Sequence, residues 1–177
     1  MINNKPNRGF VIIKRYLWYT TGMKSLPELF ASIRQVLFVT DYKSYENYSE
    51  LLKPSWAPPS WIFGPVWTVL YAMIIIAFGG VFMRTFFPSS QDLKIPFMVA
   101  LPFILNIVFN LAFTPIQFGL RNLPLATLDI FLVLITLIWA MVVIFPYMRW
   151  VTYMMIPYAV WVGFATVLQT TITVINY

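Results

Sequence analysis

Four polar side chains lie in a line within a long apolar stretch of this chain. They are Asn106, Asn110, Thr114 and Gln117. Their spacing of four, four and three residues places them on one face of an α-helix. Because buried amides and hydroxyls are costly without partners, the line either bonds neighbouring helices or lines a binding pocket. Four groups in a row favour a pocket or pathway.

A carboxylate, Asp129, lies inside another apolar stretch. A buried ionised group needs a hydrogen-bonding partner, and Asn106 or Asn110 could supply one. Five residues after Pro124, Asp129 would lie about 7.5 Å into a helix, near the positive end of its dipole. We expect a buried carboxylate that bonds a ligand or the bundle, and a solvated position near the helix start is the alternative.

Aromatic residues form 19% of the chain, and two tryptophans stand out by position. Trp67 is followed by Tyr71 at helical spacing, and Trp161 is followed by Ala165 and then Gln169. Indole walls, a small neighbour and a few amides suit a flat, apolar ligand. Packing of the rings in a protein core is the alternative.

The chain contains no cysteine and no histidine. Disulfides, thiolate nucleophiles, imidazole catalysis and the usual ligands of zinc, copper and haem iron are therefore excluded. No nucleophile–base pair is evident either, so ordinary catalysis is not expected. We predict no metal site and no cofactor.

The composition is typical of a membrane protein. The chain is 60% hydrophobic and 10% charged, with a mean hydropathy of +0.75, whereas about a quarter of the residues in a soluble domain are charged. From residue 61 onward there are six ionisable acids and bases, and five lie in or beside gaps between apolar segments. We predict an all-α fold, a polytopic bundle of membrane helices.

Four segments are long and apolar enough to cross a hydrocarbon core of about 30 Å. The predicted transmembrane helices are residues 61–83, 95–118, 124–145 and 150–175. Arg84 and Pro88 are expected to end the first helix, and Pro124 to begin the third in a tolerated first-turn position. Because the connections are short, neighbouring helices should be antiparallel.

Residues 1–52 form a polar, basic segment that differs from the transmembrane domain, 53–177. Within it, residues 25–39 have apolar side chains at helical spacing and a capping-box pair, Ser25 and Glu28. Such a helix reaches only about 22 Å, so it should be amphipathic and lie on the membrane surface or against the bundle. A partly ordered tail is the alternative.

The charge distribution predicts the orientation. Eight of the twelve basic residues precede Pro54, and basic residues favour the cytoplasmic side. Four crossings return the chain to the side where it began, so both termini are expected in the cytoplasm, for a protein of a bacterial inner membrane. The basic residues are expected to contact membrane lipids and not nucleic acid.

Several short motifs follow one another along residues 47–177. They are Asn47-Tyr48; Lys53-Pro54-Ser55-Trp56-Ala57-Pro58-Pro59; Pro65-Val66-Trp67-Thr68-Val69-Leu70-Tyr71; Asn106 with Asn110-Leu111-Ala112-Phe113 and Gln117-Phe118; Leu125-Ala126-Thr127-Leu128-Asp129; Pro157-Tyr158 with Trp161 and Phe164-Ala165; and Ile175-Asn176. Together they resemble the TspO/MBR family, the translocator proteins and tryptophan-rich sensory proteins.

The resemblance implies a bundle of membrane helices that binds tetrapyrroles such as protoporphyrin IX near its cytosolic side. Carried over by motif, it implies a porphyrin-like ligand with contacts from Tyr48, Trp67, Tyr71, Asn110, Phe113, Gln117, Asp129, Trp161 and Ala165. The line of polar residues on one helix face adds Asn106 to these predicted ligand contacts. The resemblance also implies that Trp67 and Trp161 would carry any light-dependent porphyrin breakdown.

This chain departs from the family pattern before Tyr48. The family has five membrane helices, the first of them in that region, whereas no uncharged stretch of 18 residues precedes residue 61 here. We expect either that the first helix is missing, with the helix at 25–39 in its place, or that the front end is altered.

Three functions are open as hypotheses. The first is a membrane protein that binds a porphyrin-like small molecule for transport, sequestration or sensing; the second is a light- and oxygen-dependent porphyrin-degrading enzyme; the third is an anchored interaction or scaffold protein. We favour the first. A homodimer through the small residues Gly79, Gly80 and Gly163 is also expected.

Overall fold

The computed structural model describes residues 50–89 and 94–177. These ranges contain four long helices and no strand: α1 (Phe63–Phe86), α2 (Phe97–Thr114), α3 (Leu123–Ile144) and α4 (Arg149–Asn176). A 3₁₀ turn at Ser60–Ile62 precedes α1, and a π-helical turn at Pro115–Gly119 continues α2. The expected all-α fold is confirmed. The predicted helix at 25–39 lies outside the described residues, and the division after residue 52 stays a prediction.

All four helices can cross a membrane. With their adjoining turns, the candidate spans are Ser60–Phe86, Phe97–Gly119, Leu123–Ile144 and Arg149–Asn176. The shortest has 22 residues and reaches about 33 Å at 1.5 Å per residue, enough for a hydrocarbon core of about 30 Å. Outward side chains are apolar, as Ile75 and Val160 show. The protein is therefore an integral membrane protein.

The first helix extends beyond its predicted end. The charge of Arg84 predicts an end at residue 83, but α1 continues to Phe86 with Arg84 in its last turn. A basic side chain is favourable there because the last turn carries the negative end of the helix dipole. The helix ends at Phe87, where the backbone leaves helical geometry directly before Pro88.

The start of α3 is fixed by its capping residues. Asn122 Oδ1 accepts a hydrogen bond from the backbone N–H of Leu125 at 2.9 Å, which satisfies a donor that the first turn leaves open. Pro124 lies in the first turn, where its missing N–H costs nothing. The predicted start at residue 124 is correct to within one residue.

The core lies between α2, α3 and α4. The central helix, α3, packs against both α2 and α4, whereas α1 contacts α4 and α2 at fewer positions. Phe78 of α1 meets Phe103 of α2 edge to face, with ring centroids 4.8 Å apart. Both rings are fully buried, so they fix α1 to the rest of the bundle.

A glycine lets α1 approach the start of α4. A Cβ at Gly80 would lie 3.2 Å from two ring atoms of Trp150, which is closer than ordinary contact. The space beside Gly80 is therefore occupied by Trp150 of the same chain. A Cβ at Gly79 or Gly163 would meet nothing within 4 Å, and the expected homodimer stays a prediction.

The loop before α1 is tied to the end of α4. The backbone N–H of Leu52 donates to Asn176 Oδ1 at 2.9 Å, and Asn176 Nδ2 donates to the Leu52 carbonyl at 2.8 Å. The rings of Trp56 and Phe164 meet edge to face, with centroids 6.0 Å apart. Residues 52 and 176 therefore lie at the same end of the bundle, as an even number of crossings requires.

Asn176→Ala should loosen this loop and leave the helices folded, because it removes both hydrogen bonds to Leu52. Each bond contributes about 0.5–1.5 kcal/mol net, so the loop should open roughly ten-fold more often. Limited proteolysis in detergent with chymotrypsin, which cleaves after Trp56, measures the opening.

Thr171→Ala is the matched control, since Thr171 Oγ1 bonds the Val167 carbonyl within α4. Equal rates of cleavage after Trp56 in the two variants would show that Asn176 does not hold the loop.

Candidate functional site

The predicted site residues of the described ranges lie in one half of the bundle. Asn106 of α2 reaches Val133 of α3, and Trp67 of α1 contacts Tyr158 of α4. Since neighbouring helices are antiparallel, this half combines the first parts of α1 and α3 with the second parts of α2 and α4.

A chain of hydrogen bonds joins all four helices here. The Tyr71 hydroxyl of α1 donates to Asn110 Oδ1 of α2 at 2.9 Å. Asn110 Nδ2 donates to the Tyr158 hydroxyl of α4 at 2.8 Å, and that hydroxyl donates to Asn106 Oδ1 at 3.1 Å. Asn106 Nδ2 donates to the Val133 carbonyl of α3 at 2.8 Å. We call this chain the tyrosine–asparagine relay.

The inner members of the relay are sealed. Asn106 and Tyr158 are 1% and 0% exposed, and Asn106 Nδ2 donates a further bond to Thr136 Oγ1 at 3.1 Å. Hydrogen bonds between membrane helices contribute about 0.6 kcal/mol on average and up to about 1.7. The relay therefore sets the rotation and register of the helices more than it supplies their stability.

The π-helical turn brings Gln117 into the interior. Pro115 has no N–H and cannot bond the Leu111 carbonyl, which loosens the helix at this point. The Leu120 N–H then bonds the Pro115 carbonyl, five residues back, at 2.9 Å. Gln117 is buried, and its Oε1 accepts a hydrogen bond from Gln169 Nε2 of α4 at 3.0 Å.

Threonines extend this polar contact towards α3. Thr173 Oγ1 lies 3.5 Å from Gln169 Nε2 and 2.7 Å from Thr127 Oγ1. Thr114, the remaining member of the polar line, ends α2 and is half-buried. Amides from the line thus contribute to two separate interhelical contacts.

Asp129 is buried, as the sequence predicts, at 4% exposure. The predicted bond to Asn106 or Asn110 is wrong: the two amides bond Tyr71, Tyr158, Val133 and Thr136, and neither bonds Asp129. Asp129 Oδ2 is sealed from the surroundings and has no hydrogen-bond partner. Asp129 Oδ2 is thus a hydrogen-bond acceptor that has no donor inside the bundle.

Trp67 packs against the interior and does not face lipid alone. Its ring lies 5.3 Å from the ring of Tyr71 and 6.4 Å from that of Tyr158, centroid to centroid. Phe113 and Ala165 are also half-buried and pack against the core. The predicted aromatic wall and its small neighbour are therefore accessible in part.

Trp161 of α4 packs against the first turn of α1. Its ring is 5.7 Å from Phe63 and 5.6 Å from Phe164, and its indole N–H is buried without an acceptor. In the part of the chain that the structure describes, the buried side-chain polar atoms without a partner are Asp129 Oδ2 and Trp161 Nε1. Both belong to residues that the sequence singles out as ligand contacts.

The remaining predicted contact, Tyr48, lies outside the described residues. Among residues 50–89 and 94–177, no group of three or more Asp, Glu, His or Cys side chains could hold a metal ion. The interactions that these side chains can make are ring contacts and hydrogen bonds.

Two residues that complete the site are missing from the predicted contacts. Tyr158 lies three residues before Trp161 on the same helix face, so its spacing could have indicated it. Thr136 accepts from Asn106 and has no comparable signal, because a threonine in an apolar helix commonly bonds its own backbone, as Thr136 also does to the Leu132 carbonyl.

The sequence profile of the TspO/MBR family matches residues 25–175. The chain belongs to the TspO/MBR family. It is 35% identical to the tryptophan-rich protein TspO of Bacillus cereus over 155 residues, which cover 81% of this chain and 88% of the relative. It is 34% identical to TspO of Archaeoglobus fulgidus over 171 residues, 86% and 99% of the two chains.

A human relative extends the family comparison. The translocator protein of Homo sapiens is 30% identical over 115 residues, 58% of this chain and 65% of the relative. The family match begins at residue 25, upstream of the motifs recognised from residue 47. It therefore includes the stretch predicted to form the amphipathic helix of this TspO/MBR protein.

The bond between Gln117 and Gln169 should appear as an energetic coupling. Gln117→Leu and Gln169→Leu should each lower the free energy of unfolding. The double variant should lose less free energy than the sum of the two single losses, because either substitution alone already breaks the bond. We expect a coupling free energy of about 0.6 kcal/mol, and at most about 1.7. Unfolding in mixed micelles with rising dodecyl sulfate measures it.

Thr170→Val replaces the second glutamine variant in a control cycle, since Thr170 Oγ1 bonds the Thr166 carbonyl within α4. This cycle should be additive. Additivity of the glutamine cycle to within about 0.3 kcal/mol would contradict the coupling.

Proposed function

We propose that this TspO/MBR protein binds porphyrin-like tetrapyrroles of the protoporphyrin IX class in the half of the bundle that contains the relay. Binding would serve transport, sequestration or sensing. The name of the human relative, translocator protein, is in keeping with transport. The support from the molecule itself comes from polar atoms that the bundle leaves unpaired.

Two sealed polar atoms of opposite character carry the proposal. Asp129 Oδ2 is an acceptor without a donor, and Trp161 Nε1 is a donor without an acceptor. A buried polar group without a partner costs about 1–3 kcal/mol, and such groups are rare in folded proteins. A guest that displaces the side chains covering these two atoms, and that offers both an N–H or O–H donor and an oxygen acceptor, would satisfy them and recover this cost.

A planar ring suits the apolar part of the same region. Trp67 and Trp161 are half-buried and pack beside other aromatic rings, and indole faces favour stacked or edge-on contact with a flat ring. Because the sequence has no histidine or cysteine, a metal-free tetrapyrrole is the better candidate. Stacking and hydrogen bonds would hold it.

Trp161→Phe should weaken binding of protoporphyrin IX about 2- to 10-fold, because it keeps a ring but removes the unpaired N–H. Asp129→Ala, which removes the other unpaired group, should act in the same direction. The Soret band of the porphyrin, followed during titration of protein in detergent, gives the dissociation constant without relying on the substituted tryptophan.

Trp139→Phe is the matched control, since Trp139 is 41% exposed on α3 and should leave the affinity unchanged. The proposal fails if wild-type protein shifts the Soret band no more than empty micelles do. It also fails if the Trp139 and Trp161 variants bind equally well and Asp129→Ala binds like wild type.

We further propose that both termini lie in the cytoplasm, in a bacterial inner membrane. Eight of the twelve basic residues precede Pro54, and the Leu52–Asn176 pairing puts residue 176 at the end of the bundle to which that segment leads. Arg121 follows the π-helical turn at the same end. Basic residues accumulate on the cytoplasmic side of membrane proteins.

Single cysteines can test this orientation cleanly because the chain has none. Phe87→Cys and Tyr177→Cys replace exposed residues, 75% and 92% exposed, at opposite ends of the bundle. A membrane-impermeant maleimide applied to intact inner-membrane spheroplasts should label Phe87→Cys, and should label Tyr177→Cys only after permeabilisation. The reverse pattern would show that the termini face outward.

A further inference from the structure

The relay has a fixed direction, because it ends on a backbone carbonyl. A carbonyl oxygen can only accept, so the atom of Asn106 that lies 2.8 Å from the Val133 oxygen must be Nδ2. A flipped amide would place two oxygens at that distance. The second N–H of Asn106 goes to Thr136 Oγ1, whose own proton is donated to the Leu132 carbonyl at 2.7 Å.

This anchor determines the next two bonds. With Nδ2 committed to α3, Asn106 presents Oδ1 to Tyr158, and the Tyr158 hydroxyl must donate its single proton there. The Tyr158 oxygen can then only accept from Asn110, so Asn110 turns Nδ2 towards it at 2.8 Å. If Asn110 were flipped, its oxygen would face a phenol oxygen that has no proton to give.

The direction reaches Tyr71 by the same argument. Asn110 presents Oδ1 to Tyr71, and the Tyr71 hydroxyl donates its proton at 2.9 Å. Tyr71 is 37% exposed, compared with 9% for Asn110 and 0% for Tyr158. It is therefore the most exposed member of the relay and the one that a guest can reach. Its hydroxyl proton is already donated to Asn110 Oδ1.

We infer that Tyr71 offers a guest only a hydrogen-bond acceptor, and that the site therefore selects ligands whose edge next to Tyr71 carries an O–H or N–H donor over ligands that carry only acceptors. Tyr71 acts here as a specificity-determining residue, and Tyr158 and Asn106 are positioning residues that hold its proton in place. The inference rests on the proposed function, because it names a property of the same ligand.

Two porphyrins that differ in whether their arms carry a hydrogen-bond donor can test this selection. The first has both propionate arms of protoporphyrin IX reduced to 3-hydroxypropyl groups, and the second is its bis(methyl ether). Both are uncharged and have the same ring. Wild-type protein should bind the diol about 2- to 10-fold more tightly than the ether, since one hydrogen bond separates them. Soret titration in detergent gives both constants.

Three tyrosine variants assign the preference. Tyr71→Phe removes the acceptor, so the ratio of the two dissociation constants should fall to about 1. Tyr158→Phe keeps Tyr71 but frees the Asn110 amide to turn, so that Tyr71 can donate, and the preference should again disappear. Tyr153→Phe also removes a hydroxyl from α4, but Tyr153 is 60% exposed outside the relay, and the wild-type ratio should be kept.

The ratio of affinities reports direction where a general loss of packing would not, because both porphyrins occupy the same folded protein. Should Tyr158→Phe fail to fold, Tyr71→Phe decides by itself. Equal binding of the two porphyrins by wild type, or tighter binding of the ether, overturns the inference and leaves the proposed function intact. A preference that survives in Tyr71→Phe also overturns it, since another acceptor such as Asp129 would then be responsible. If neither compound nor protoporphyrin IX binds, the proposed function and the inference fall together.

Discussion

The arrangement of this bundle depends on one constraint: amides and phenols buried between membrane helices must find partners among themselves. The lipid core contains no water to satisfy them. Apolar surfaces alone do not determine the rotation of a helix about its axis, because lipid and protein interior are similarly apolar. The bonds from Tyr71 through Asn110, Tyr158 and Asn106 to the Val133 carbonyl meet this need and involve each of the four described helices. They fix which faces turn inward, and so which aromatic rings border the interior.

Much of the fold could be predicted because it follows from hydropathy and helix-breaking residues. Four apolar stretches and the first-turn position of Pro124 are local signals, and the structure agrees with them to within a few residues. The end of α1 was less predictable, because Arg84 reads as a polar stop in the sequence but is compatible with the last turn of a helix. The interaction between Arg84 and the helix dipole depends on where the last turn lies, which the amino-acid composition does not specify.

Several interior polar residues of the candidate site could be predicted from the sequence, but their pairings could not. Helical spacing placed Asn106 and Asn110 on one face, yet their partners come from three other helices and depend on tertiary packing. The inward position of Gln117 depends on a π-helical turn. Pro115 permits this turn, but a proline alone does not predict it from the sequence. The unpaired state of Asp129 is a property of the packed bundle alone.

The tie between Leu52 and Asn176 joins positions 124 apart in the chain. Contacts between such distant positions bear the largest loop-closure cost and are rewarded late in assembly. The four helices pack through a core of their own, so their docking does not require this tie. Because exposed segments with few packing contacts open most easily, this end of the bundle can open without separation of the helices.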